Sequence, residues 1–268
     1  MFKGMDYKIL CEEALKAAVK AGRLIKSRMT DLDKKIEVKG VRNFVTGTDK
    51  AAEALIVDLL SSALPEAGFI AEEGTSEKKG LIYNWVIDPL DGTTNFIHGA
   101  PPVAVSIALM KGNDVVAGVI YEIWHDEAFY SWEGVPAFLN GREIKVSDTS
   151  ELGESLIATG FPYDSLDKWR GFMDSLDHFY LKSHGIRRLG SAATDLAYVA
   201  CGRFDGFYEY NLHPWDVAAG AFLVAQAGGK VSDFKGGNNY IFGREVTASN
   251  GKIFNAFLKD VGIYMNRI

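Results

Sequence analysis

The chain has 268 residues with a formal net charge of −6, and is 47% hydrophobic and 24% charged, a balance that excludes disordered and fibrous classes. The negative charge argues against broad nucleic-acid or anionic-membrane binding, so a phosphate site would need local cations or metal ions. Charges interrupt residues 1–22, which read as neither leader nor span, and Cys11 and Cys201 read as reduced, buried thiols of a cytoplasmic protein.

Leu10, Ala14, Ala17, Ala18, Ala21, Leu24 and Ile25 repeat at helical spacing, which predicts an amphipathic helix ending before Thr30. A short strand and a polar loop around residues 39–43 follow, with Lys39 and Arg42 placing positive charge on that loop. A second helix is capped by Thr48 or Asp49 and buries Ala52, Leu55, Ile56, Leu59 and Leu60. Residues 69–71 form a short apolar run that ends in Glu72 and Glu73. Residues 85–87 form another, ending in Asp88. Pro89 and Gly92 then predict a tight turn that brings Asp88 and Asp91 together, before Thr93, Thr94 and Asn95 open a new element.

From Val103 onward, AVSIAL, DVVAGVIY and AFYSW read as three antiparallel strands. A polar run at residues 147–154 marks a soft boundary. Beyond it the pattern predicts strands at 156–159 and 186–189, with a helix at 169–180 between them. A helix opening at Gly190, Ser191 and Ala192 follows, then a strand at 205–210 and a helix from Asp216 to Gly228. Further strands lie at Val231 and 246–248. The result is a layered α/β (α+β) architecture, antiparallel in the N-terminal half and mixed in the C-terminal half.

Paired aspartates at the end of a buried strand must share a proton or bind a metal, and hard oxygen ligands favour Mg²⁺, Mn²⁺ or Ca²⁺ over zinc. An EF-hand starting at Asp88 would need an acid at its twelfth position, which is Gly99. The GxxxxGK[ST], HExxH and GxSxG patterns are absent. What remains is a set of acids at element ends, Glu72, Asp88, Asp91 and Asp216, which need a compensating ion if buried together. Asp216 alone could equally be a helix cap. A helix beginning near Gly92, Thr93 and Thr94 would present free N–H groups to a phosphate beside such an ion.

AEEG at residues 71–74, WVIDPLDGTTNF at 85–96 and GSAATDLAYVACGRFDGFYE running on to WDVAAG resemble the inositol monophosphatase family over nearly the whole chain. These proteins are lithium-sensitive, Mg²⁺-dependent phosphomonoesterases. The resemblance implies an αβαβα sandwich that forms one domain over residues 1–268, with a metal and phosphate half (1–150) and a substrate-specificity half (151–268). It implies metal ligation by Glu72, Asp88, the Leu90 carbonyl, Asp91 and Asp216, with two or three Mg²⁺ per site. Thr93 with Glu72 would position the attacking water in an in-line hydrolysis without a phosphoenzyme. Lys39 matches the family's mobile loop and Asp49 the acid that supports the third metal region and Thr93, and the resemblance implies a catalytic role for both. Phosphate would be held at Asp91, Gly92 and Thr93, and the substrate's hydroxyl-bearing ring by Gly190, Ser191, Ala192, Glu209 and Asp216. Gly74 and Asn43 depart from the residues common in the family, at positions that carry no inferred ligand.

The expected substrate is inositol monophosphate. The alternatives are 3'-phosphoadenosine 5'-phosphate, fructose 1,6-bisphosphate and histidinol phosphate, or a catalytically idle metal-binding protein. Glu209 favours a polyol, whereas Arg187 and Arg188 could hold a second anion. The implied partners are a small phosphomonoester and a second copy in a homodimer, with neither nucleic acid nor membrane.

Overall fold

The computed structural model describes residues 5–29, 36–40, 43–76, 78–162 and 166–266, with the side chains of 36–40 and 43–45 outside the description. The elements in chain order begin with α1 (Tyr7–Arg28), β1 (Ile36–Gly40), β2 (Asn43–Thr46), α2 (Gly47–Ala63), β3 (Gly68–Ala71), β4 (Tyr83–Asp91) and α3 (Thr93–His98). Then come β5 (Ala104–Lys111), β6 (Asp114–Glu122), β7 (Glu127–Trp132), β8 (Phe138–Leu139), β9 (Arg142–Glu143) and β10 (Leu156–Thr159). The chain finishes with α4 (Trp169–Lys182), β11 (Gly185–Arg187), α5 (Ala192–Ala200), β12 (Gly206–Tyr210), α6 (Pro214–Gln226), β13 (Lys230–Ser232), β14 (Glu245–Ser249) and α7 (Phe254–Met265).

Two sheets carry the fold. The first has the order β3-β4-β5-β6-β7-β8-β9 and the second β11-β10-β12-β14-β13. Alternation along the strands shows how they are layered, because successive side chains point to opposite faces. Trp85 and Ile87 of β4 join Ala14, Ala18, Ile25, Ile56 and Leu60 of α1 and α2, while Val86 joins the small and aliphatic residues of α5 and α6. In the second sheet Ala158 and Phe207 face that same α5–α6 layer, and Ile157 and Tyr208 face Phe172, Phe179, Phe257 and Val261 of α4 and α7. The layers are therefore αβαβα, and the middle helix layer belongs to both sheets.

Several local expectations change. The first sheet is not purely antiparallel, since β3 runs parallel to β4 and delivers Glu72 beside the end of its neighbour. The polar loop around residue 39 is a two-stranded antiparallel ribbon, with Lys39 on β1 and Asn43 on β2; Arg42 and the side chains of Lys39 and Asn43 lie outside the described residues. Thr46, rather than Thr48 or Asp49, caps α2: its Oγ1 accepts the Thr48 N–H at 3.1 Å while Asp49 accepts the Thr46 N–H at 2.9 Å. The helix expected from Asp216 starts two residues earlier, at Pro214, whose fixed φ and missing N–H suit a first helical position.

The expected turn at 88–92 is instead a bulge within β4. Asp88 pairs with Ser106 and Asp91 with Ala104, so four residues of β4 oppose three of β5. Pro89, which has no N–H to donate to the ladder, falls inside this irregular stretch. The consequence for the two acids is the one a turn would have had.

Segment 147–154 is tied to the second half. Ser147 donates to Asp205 at 2.5 Å, and Asn250 donates to Ser147 at 2.7 Å and to the Thr149 carbonyl at 3.0 Å. Among the described residues no helix is long and apolar enough to cross a membrane.

Candidate active site

Each acid of the candidate site is placed by the backbone beneath it. Glu72 follows β3, and its N–H donates to the Ile87 carbonyl at 3.2 Å, continuing the pairing with β4 by one residue. The chain beyond it is held by a residue that sequence reasoning passed over. Glu53 of α2 is fully buried and accepts the N–H groups of Glu73 at 2.7 Å and Thr75 at 2.6 Å. A carboxylate in register with Ile56 and Leu60, at i+3 and i+7 on an apolar stripe, was the signal available.

Asp88 is 2% exposed, and its Oδ1 accepts the Leu90 N–H at 2.9 Å, which turns the bulge on itself. Asp91 reaches across to the middle helix layer. Its Oδ2 accepts the Ser191 hydroxyl at 2.6 Å and the Ala193 N–H at 2.7 Å, so the start of α5 holds the end of β4. Asp216 sits in the first turn of α6, where it accepts the His213 N–H at 2.7 Å. It thus completes the capping box of α6, whose N-cap is His213, and is also a wall of the cleft, two readings the sequence had set against each other.

A solvent-open cleft is lined by Glu72, Asp88, Leu90, Asp91, Gly92, Thr93, Gly190, Ser191, Ala192, Glu209 and Asp216. Its electrostatics are unfavourable for the bare protein. Burial first, and then the charges of Glu72, Asp91 and Asp216, hold the Asp88 carboxyl well above its usual range. Burial pushes Asp91 up to about 6 against the opposing hydrogen bonds from Ser191 and Ala193, and burial followed by the Asp91 charge pushes Asp216 up to about 7. Carboxylates that resist ionisation beside one another, with acceptor oxygens turned to a common space, form a donor set for a hard divalent cation.

Thr93 is the first residue of α3, and Gly92 is its N-cap, in a left-handed conformation at φ 92°. A β-carbon there would meet the Pro102 carbonyl at 2.9 Å. The Thr93 hydroxyl is therefore released from capping, and lies 3.2 Å from Asp49 Oδ1 and 3.1 Å from the Leu90 carbonyl. Asp49 is 1% exposed; burial raises its pKa, and hydrogen bonds from Thr46 and Thr93 oppose the rise. Nothing is described of the Lys39 side chain, so the catalytic role expected of it lies outside the described residues.

The residues expected to hold a ring divide. Gly190, Ala192 and Glu209 line the cleft, as does Ser191, but its hydroxyl is spent on Asp91 and on Thr194 at 2.7 Å. Arg188 lines the cleft, whereas Arg187 is exposed and does not. Asn95, one of the residues that open α3, has a further part. Its side-chain amide donates to the Pro102 and Leu189 carbonyls, both at 2.9 Å, and braces α3 against the second half.

The tightest acid and histidine group among the described residues is elsewhere. Glu122, His125 and Glu127 at the β6–β7 connection place ligand atoms within 4.8 Å of one another. Their hydrogen bonding explains them: Glu122 accepts the Trp124 and His125 N–H groups at 3.1 and 2.8 Å, and Glu127 is paired bidentately with Arg203.

Comparison with known proteins finds similar sequences and folds. The family model described as the inositol monophosphatase family matches residues 6–265. The inositol-1-monophosphatase of Mesorhizobium japonicum is 42% identical over 249 residues, covering 92% of this chain and 94% of the relative. The Nus factor SuhB of Escherichia coli K12 is 43% identical over 251 residues, with coverage of 92% and 94%. Among solved structures, the extragenic suppressor protein suhB of Bartonella henselae superposes with a TM-score of 0.88 at 40% identity, covering 93% of this chain and 97% of that one. The Thermotoga maritima IMPase does so at 0.86 and 35% identity, covering 95% and 97%.

Proposed function

The chain belongs to the inositol monophosphatase family and is a phosphomonoesterase, and from that premise we propose that it hydrolyses inositol monophosphate to inositol and phosphate. One observation carries the reading: the four carboxylates Glu72, Asp88, Asp91 and Asp216 share a single cleft with the Thr93 hydroxyl and with Glu209. In this proposal those carboxylates and the Leu90 carbonyl hold two or three Mg²⁺. When bound, Mg²⁺ offsets the carboxylate charge, acidifies a water and stabilises the departing alkoxide.

The chain's own groups do the rest. Thr93 Oγ1 donates a hydrogen bond to Asp49 Oδ1, so that as the hydroxyl takes a proton from the attacking water its own passes to the Asp49 carboxylate, and Glu72 fixes that water from the other side. The N–H groups of Gly92 and Thr93, with Asp91 beneath them, receive the phosphate. Glu209 accepts from ring hydroxyls. Lys39, on β1, contributes to catalysis in this reading. The division into a metal and phosphate half (1–150) and a specificity half (151–268) belongs to the proposal, with Asp216 crossing from the second into the first. So do a homodimer, lithium sensitivity and a cytoplasmic location, the last supported by two free thiols.

The test is phosphate release with and without Mg²⁺ across inositol 1-phosphate, 3'-phosphoadenosine 5'-phosphate, fructose 1,6-bisphosphate and histidinol phosphate. The expected outcome is Mg²⁺-dependent turnover with inositol 1-phosphate preferred; faster turnover of another ester would overturn the substrate assignment. The name of the Escherichia coli relative adds a second reading, a Nus factor. That reading would revise the expectation of no nucleic-acid partner, and the acids of the cleft bear on the phosphatase alone.

The raised carboxyls also link stability to pH. Asp91 and Asp216 bind protons more tightly folded, at about 6 and about 7, than at the unfolded value of 3.8. Their stabilising contribution is therefore present at low pH and is lost as pH rises through that window in the metal-free protein. Mg²⁺ at 100 times its dissociation constant should add about 2.7 kcal/mol, a Tm gain of roughly 5 °C or more at this chain length. At one fixed Mg²⁺ concentration the gain is expected to be larger at pH 7.5 than at pH 5, where protons compete for the carboxylates. Thermal melts with EDTA and with Mg²⁺ measure it, and equal gains at both values would contradict the shared cation site.

A further inference from the structure

Helix α2 carries two buried carboxylates one turn apart, Asp49 and Glu53. Asp49 Oδ1 meets the Thr93 hydroxyl at 3.2 Å, and Glu53 meets the chain that follows Glu72. Thr93 and Glu72 are the two groups assigned above to the attacking water, so one helix stands behind both.

The contact made by Glu53 has a specific form. Its Oε2 accepts the Glu73 N–H at 2.7 Å and its Oε1 the Thr75 N–H at 2.6 Å, so each oxygen holds a different peptide. Between these donors Gly74 is left-handed, at φ 69°, and the two N–H groups face one side as an anion-binding concavity. The chain's own carboxylate fills it, and these charge-assisted bonds offset the burial of that carboxylate. The fork of a carboxylate suits two separate donors, whereas an amide offers one oxygen and two further N–H groups.

The consequence falls on Glu72. Its own N–H donates to the Ile87 carbonyl at 3.2 Å, and the N–H of the next peptide is the one that Glu53 binds. The peptides on both sides of its α-carbon are therefore fixed. That sets φ and ψ of Glu72, and with them the direction in which its side chain leaves the backbone for the cleft. The register of β3 on β4 ends at Ala71 and Ile87, so the strand pairing fixes only the first of these two peptides.

We propose that Glu53 is a positioning residue that holds the Glu72 carboxylate at the cation and water site, so that α2 sets the geometry of both water-aiming groups. The proposal deepens the reading of Glu72 as a metal ligand and rests on it.

The experiment follows Mn²⁺ binding by electron paramagnetic resonance without substrate, together with kcat and KM for inositol 1-phosphate. It uses the parent, Glu53→Gln, Glu72→Ala and the double variant. Glu53→Gln keeps the size of the side chain and accepts only one of the two N–H groups. It should weaken Mn²⁺ binding about tenfold and lower kcat about 30-fold, with KM within about threefold because the phosphate is received at the start of α3. On the Glu72→Ala background the same change should alter Mn²⁺ binding by less than about twofold, since no carboxylate remains to be aimed. Gly74→Val is the second variant, should the buried amide fail to fold. Position 74 is exposed, a β-carbon there meets nothing within 4 Å, and a β-branched residue resists φ 69°, so the loop shifts while the core is left alone. It should reproduce the loss of Mn²⁺ affinity. A lower Tm in Glu53→Gln with Mn²⁺ binding and kcat like the parent's would make Glu53 a structural brace and overturn the proposal. So would a Glu53→Gln effect on Mn²⁺ binding that persists without Glu72. Undiminished Mn²⁺ binding in Glu72→Ala would instead overturn the ligand reading beneath it.

Discussion

Asp91→Asn is expected to lower Mg²⁺-dependent turnover by at least about 1000-fold, equivalent to roughly 4 kcal/mol of transition-state stabilisation. The Oδ2 of Asp91 is fixed by the Ser191 hydroxyl at 2.6 Å and the Ala193 N–H at 2.7 Å, both donors. An asparagine must therefore turn its carbonyl oxygen to them and its NH₂ into the cleft. There, where Asp91 belongs to the carboxylates of the cleft, the variant would present two N–H donors, and a cation cannot use them. The fold should survive, because the acceptor of the α5 contacts is retained and one of several repelling acids is removed. The Tm gain on adding Mg²⁺ should largely disappear while the metal-free melt stays close to the parent's. Turnover near the parent's, or an undiminished Mg²⁺ gain, would show that Asp91 is not a ligand.

That prediction depends on a joint between the two halves of the chain, and joints of this kind are what a sequence conceals. The acids themselves were legible, because Glu72 and Asp88 each end an apolar run and β3 and β4 deliver them to one edge. Their environment was less so. Pro89 and Gly92 signal a turn and a bulge alike, and only the pairing of Asp91 with Ala104 separates the two. Ser191 reads as a residue near the substrate, yet its hydroxyl serves Asp91. Glu53 and Asp195 are carboxylates on helices, a position that usually means a solvated face, and both are buried. Glu53 could have been suspected from its register with Ile56 and Leu60; Asp195 is polar within an α5 that is buried nearly all round, and nothing local distinguishes it.

The layers follow the same rule. The apolar run at residues 85–87 and the helices predicted from Gly190 and Asp216 do not tell that the two sheets share one helix layer. The closing helix α7 was passed over although Phe254, Phe257, Val261 and Met265 recur at helical spacing and are buried. The ribbon of β1 and β2 lies where charged and glycine residues suggested a loop, and pairing between strands supplied what local propensity did not.

Thr93→Val isolates the proton path from the metal site. Valine keeps the β-branched shape at the start of α3 and deletes only the hydroxyl, so the two acceptors it faces, Asp49 Oδ1 at 3.2 Å and the Leu90 carbonyl at 3.1 Å, lose one donor. The stability cost should be about 1 kcal/mol, because Asp49 keeps the Thr46 N–H and hydroxyl as partners. The carboxylates are untouched, and the Mg²⁺-dependent Tm gain should match the parent's. What is lost is the group that accepts the water's proton, and general-base contributions of this kind predict a fall in kcat of about 100-fold or more with KM little changed. Thr93→Ser retains the hydroxyl and should recover to within about tenfold of the parent, the shortfall arising from the freer rotamer of an unbranched side chain. Steady-state kinetics on the three proteins decide the matter. If valine kept kcat within a few-fold of threonine, the water would have to be oriented by Glu72 and the cations alone, and the Thr46–Asp49–Thr93 chain would be a structural brace for the cleft rather than a route for the proton.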